Sequence, residues 1–158
     1  MNYNNKRTII SMVAGALITA AYIIYAMGER APHMDDIKSW SISMLIFIAV
    51  GVVALIFVQI IFHVILSVGV AVKEQNLSDK EVERIISSEM VEDEREKVIN
   101  LKSAHIGYIC TGIGVVAMLI ALATGVSVVI SLHILFGSLV LSSELEGVAS
   151  LYFNKVGI

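Results

Sequence analysis

Hydrophobic and charged positions fall in blocks along this chain. Ile9 to Met27 and Ser41 to Val72 carry no formal charge, and Lys73 to Lys102 then forms a charged island. Two further apolar stretches follow, Ser103 to Ala123 and Val126 to about Phe153, with the turn Thr124-Gly125 between them. The island holds nine of the fourteen carboxylates and six of the eleven Lys/Arg residues. About 20 apolar residues suffice for a helix to cross a hydrocarbon core of roughly 30 Å. The pattern predicts an all-α integral membrane protein, one membrane domain over residues 1–158 with spans near 9–27, 41–72, 103–123 and 126–153. The spans pair as two transmembrane hairpins, and a cytoplasmic helical segment at 73–102 joins them.

The first run follows Lys6 and Arg7 and superficially resembles a secretion signal, but it is longer than a usual signal core and reads as a retained span. Pro32 lies in the loop that follows, Asp35 or Asp36 suits the N-cap of the second helix, and Trp40 suits an interface. The second run is too long for one upright crossing. As a helix it would extend ~48 Å at 1.5 Å per residue, so it must tilt, bend at Gly69, or leave the lipid and find protein cover. In the island, Ser78 and Glu81 form a capping box flanked by Leu77 and Val82, and Val82, Ile85, Ile86 and Met90 share one helical face. This amphipathic helix is the expected face for a second copy or a protein partner. Small residues crowd the other spans: Ser11, Gly15 and Thr19 in the first, Gly107, Thr111, Gly112, Gly114, Ala117 and Ala121 in the third. Such small-xxx-small spacings let helices approach closely.

Composition agrees with the block pattern. Hydrophobic residues make up 57%, charged residues 16%, and mean hydropathy is +0.84, where soluble domains carry ~25% charged residues. A net charge of −3 leaves no footprint for nucleic acid. The single cysteine, Cys110, lies within an apolar run and reads as a small core residue. Lys and Arg set the orientation. The two ends and the island hold nine of them, the Gly28–Lys38 loop two and the Thr124 turn none, which places both termini and the island in the cytoplasm of a plasma-membrane protein. So strong a bias argues against a dual-topology transporter.

Intramembrane acids are functional candidates, and the fourth run carries Glu144 and Glu146. Counting outward from the tight turn sets Glu144 opposite Ile106 and Glu146 opposite Ala104, near the cytoplasmic boundary and within reach of His105 and Lys102. An ion pair that fixes helix depth, a proton or cation site, and headgroup contact are the three uses of such acids. With Gln59 and His63, four apart on the second span, they define a candidate polar site: Glu144, Glu146, His105, His63 and Gln59. Ser127, Ser131, Ser138, Ser142 and Glu146 form a stripe that either lines a pore or packs against a neighbour, and His133, Gly137 and Glu144 define the stripe beside it. His133 lies near the level of Tyr22 and reads as a satisfied core histidine. Glu89, Glu92, Asp93 and Glu96 recur at helical spacing and read as a solvated face, since neither an EF-hand nor a Glu-x-x-His pair is present. No zinc, nucleophile or phosphate-loop motif occurs, so no catalytic residue, metal or cofactor is expected. A heme on His63, His105 or His133 would be optional.

Glu92-Asp93-Glu94-Arg95-Glu96, followed by Lys102-Ser103-Ala104 at the start of a span, resembles a pattern in small uncharacterised bacterial and archaeal four-span membrane proteins. The resemblance covers about fifteen residues and the topology, and it implies paired hairpins but no activity. The functional expectation is a structural or regulatory membrane component that self-associates in lipid without catalysis. The alternative is an oligomeric ion or small-solute channel or carrier that uses Glu144 and the serine face.

Overall fold

The computed structural model describes the backbone of residues 3–73 and 94–157, with side chains at 5–62, 64–65 and 94–157. The amphipathic face Val82/Ile85/Ile86/Met90, the capping box, Glu89, Glu92, Asp93 and the His63 side chain lie outside the described residues. The described chain is helical: α1 (Tyr3–Met27), α2 (Ile37–Lys73), α3 (Glu94–Ala123) and α4 (Val128–Val156). Each is long and apolar enough to cross a membrane.

Local chemistry sets where these helices start and stop. Asp36 caps α2: its Oδ1 accepts a hydrogen bond from Ser39 N at 3.0 Å. Hydrogen bonds from the Ser39 hydroxyl and backbone, in that order, hold the Asp36 carboxyl below its ordinary value. At the other hairpin, α3 ends in a Schellman turn. Val126 N donates to Ala121 O at 2.9 Å and Gly125 N to Leu122 O at 3.1 Å, with Gly125 at φ +82°. That left-handed position is where a glycine is needed. Ser127 Oγ then accepts from Ile130 N at 3.3 Å and starts α4. A left-handed Gly157 closes α4, donating to Phe153 O at 3.2 Å.

Successive helices alternate in direction around one hub. α4 touches all three others, most extensively α3, while α1 bridges α4 and α2. Among the described residues the backbone of α3 does not closely approach that of α1 or α2. Small residues explain why the α3–α4 seam is tightest. Ser103, Gly107, Gly114 and Ala121 are buried on α3, at steps of four and seven, and Ser131, Ser142 and Ala149 are buried on α4. Ser142 Oγ donates to Gly107 O at 2.7 Å, so the register counted from the turn matches the observed pairing to within a residue.

The second seam is aromatic and lies at the loop end. Tyr22 from α1, Met44 from α2 and Phe136 from α4 form the buried cluster, with Phe47 and Leu132 packed around it. Tyr22 meets Phe136 with ring centroids 4.4 Å apart and Phe47 edge-on at 5.1 Å. Trp40 is 2% exposed, and its Nε1 donates to His33 O at 3.2 Å, tying the 28–36 loop to the helices.

Candidate functional site

Two cavities formed by the described residues border α4. The first is a polar vestibule of about 590 Å³ at the end bearing the termini, entered by residues of all four helices. Arg7 and Ser11 come from α1, Gln59 from α2, Asn100 and Ser103 from α3, and Glu146 from α4. The backbones of α1 and α3 stay apart here, and the vestibule lies between them beside α4. Arg95 Nη2 donates to Asn154 O at 3.3 Å near this end. Glu146 leans toward α3: a Cβ added to Gly107 would lie 3.3 Å from its Oε2.

The second cavity is an apolar groove of about 620 Å³ between α1 and α4. Ala16 and Ala20 on α1 and Gly137 on α4 leave it open, Tyr22 and Phe136 form an aromatic wall, and Glu144 borders it. A Cβ on Gly15 would come within 2.6 Å of Glu144 Oε1, so the carboxylate rests against this glycine and would have to shift for a larger residue. Glu144 makes no ion pair or hydrogen bond among the described residues. Tyr22 is 6% exposed, and its buried hydroxyl has no hydrogen-bond partner among the described residues.

The five-residue polar site expected from the sequence is therefore divided. Glu146 and Gln59 share the vestibule, Glu144 turns to the groove, and His105 is exposed on α3 and lines neither cavity. Glu144 and Glu146 are two positions apart on a helix, about 200° around its axis, and so cannot share a face. Neither acid pairs with Lys102 or His105 among the described residues.

The serine stripe is a packing seam. Ser131 Oγ donates to Ser127 O at 3.1 Å, Ser138 Oγ to Leu135 O at 2.7 Å and Ser142 Oγ across to Gly107 O, while Ser127 is the cap of α4. Ser138 fills the space left by Gly114, and Cys110 Sγ lies 3.9 Å from Ser138 O. His133 Nδ1 stands 2.8 Å from Val129 O, and its ring meets Trp40 edge-on at 4.5 Å, a packed histidine. Among the described residues no three His, Cys, Asp or Glu side chains gather closely enough to hold a metal ion.

Sequence reasoning missed most of the vestibule. Ser143, Gly147, Ser150 and Asn154 recur at helical spacing along α4, as do Glu96, Asn100 and Ser103 along α3, and these faces were the available signal. The pairing of Gly15 with Glu144 had no such signal, because it depends on how α1 is rotated against α4. No protein-family model, curated protein or solved structure matches the chain.

Proposed function

We propose that this chain is a self-associating polytopic membrane protein of structural or regulatory role, not itself catalytic, with both termini in the cytoplasm. The observation that carries this reading is α2. It is one helix of 37 residues, ~55 Å at 1.5 Å per residue, and it sits at the edge of the array. Only Trp40 and Met44 among its described side chains are buried, both near its start. Holding the uncharged run 41–72, ~48 Å, inside a ~30 Å core needs a tilt of roughly 50°, beyond the usual 0–40°. Apolar helix that projects from lipid needs a protein partner, and a second copy supplies the same apolar edge. Single cysteines along Leu45 to Ile65 in a Cys110→Ser background test it. Oxidative cross-links that recur every three to four positions are expected; absent cross-links together with a monomer by native mass spectrometry would refute self-association.

A solute carrier is the second reading, and the vestibule favours it. The serine stripe does not, since its hydroxyls are spent on backbone groups. A cavity of this size with convergent polar groups suits a small polar solute. Liposome flux lost in Glu146→Gln is the expected result; flux equal to that of empty vesicles would remove the reading.

A further inference from the structure

We propose that the groove between α1 and α4 binds a lipophilic organic cation, an ammonium- or phosphonium-type charge carried on an apolar body. The site rests on the membrane reading of the helices but not on self-association. Its volume, about 620 Å³, falls within the ~300–1,000 Å³ of small-molecule sites. It runs from Glu144 to His133, ~16 Å along α4 at 1.5 Å per residue. The walls are apolar and small, with Tyr22 and Phe136 lining the end away from Glu144.

The charge requirement comes from Glu144. Its carboxylate is half-buried, faces Gly15 and has no internal counter-ion among the described residues. A carboxylate at the end of an apolar groove is costly when unpaired and is offset by a bound cation. An apolar helix of a second copy would leave it unpaired, and a lipid tail would do the same. Gly137 marks where the body lies: a Cβ there meets nothing within 4 Å.

The experiment uses the full chain in nanodiscs of neutral phospholipid, with binding measured by equilibrium dialysis above that of empty nanodiscs. Tetraphenylphosphonium is the probe, and tetraphenylborate, of nearly equal size and opposite charge, is the control. Saturable binding of one phosphonium per chain is expected, with no saturable binding of the borate. Glu144→Gln should weaken binding at least tenfold by removing the charge. Gly137→Leu should do the same by filling the groove while leaving the acid in place. No saturable phosphonium binding, equal binding of both ions, or wild-type affinity in both variants would overturn the proposal. So would efficient disulfide cross-linking between copies through Ala20→Cys in a Cys110→Ser background, which would put a second copy in the groove. Loss of the α2 cross-links described above leaves these readouts unchanged, so the two claims fail separately.

Discussion

Gly114→Ala should pry α3 from α4. A Cβ at this position would overlap both Oγ and Cβ of Ser138 and lie 3.6 Å from its Cα. A rotamer change moves Oγ but not Cβ, so the clash cannot be relieved by the side chain alone. The helices must separate, and a radial gap of ~0.5–1 Å already forfeits a quarter to a half of each dispersion contact. Overpacking of this kind costs about 1–3 kcal/mol, while the gain from replacing a helical glycine with alanine is at most ~1 kcal/mol. The net loss is then about 1–2 kcal/mol, roughly 5- to 30-fold in the ratio of packed to opened hairpin. Cys110 supplies the assay. It is half-buried on the same seam with Sγ 3.9 Å from Ser138 O, so a fluorogenic thiol reagent reports opening as temperature rises. Gly114→Ala should lower the midpoint, and Ser138→Gly added to it should recover most of the loss, a coupling that a double-mutant cycle isolates. Gly112→Ala, where a Cβ meets nothing within 4 Å, should leave the midpoint unchanged or raise it. If both glycine variants behave alike, the close approach of α3 and α4 is wrong.

Other expectations follow from the caps and the aromatic seam. Gly125→Ala places a Cβ in the left-handed region at φ +82° and should cost about 1–2 kcal/mol, read by the same thiol assay; no shift would contradict the Schellman turn. The Asp36 cap should depend on pH. Its folded value is depressed, so its contribution is full above the ordinary carboxylate range and is lost as pH falls through the folded value. The protection of the Ser39 amide relative to its intrinsic exchange rate should fall on acidification in the wild type and vary less in Asp36→Asn. Trp40→Phe removes the hydrogen bond to His33 O, worth about 1 kcal/mol, and should speed proteolysis of the 28–36 loop; unchanged cleavage would remove Trp40 as its anchor.

The all-helical architecture was legible because membrane-length apolar runs and charged breaks are coarse signals that tertiary context does not override. The height of residues on the second hairpin was legible too, because a two-residue turn leaves little freedom: Ser142 bonds Gly107 where counting from Thr124-Gly125 places it. Azimuth was legible in part. The stripe His133/Gly137/Glu144 borders one cavity and Glu146, on the serine stripe, borders the other, whereas grouping the two acids by depth into one polar site set aside the ~200° between them. The partner of Glu144 was also hidden. Gly15 was recognised as a small packing position, yet whether it admits a methionine, as Gly147 does Met12, or a carboxylate depends on helix rotation. That α4 is the hub was likewise unreadable, since all four helices carry apolar residues around most of their circumference.

Everything above depends on the two ends of the helical array lying on opposite sides of a bilayer. In a Cys110→Ser background, single cysteines replacing Arg30 and Thr124 at the loop end, and Lys6 and Lys155 at the termini end, can be probed in intact cells with a membrane-impermeant thiol reagent. The account predicts that Arg30→Cys and Thr124→Cys react directly and that Lys6→Cys and Lys155→Cys react only after the membrane is opened. Labelling of all four without permeabilisation, or of a loop-end and a termini-end cysteine from the same side alone, would contradict it.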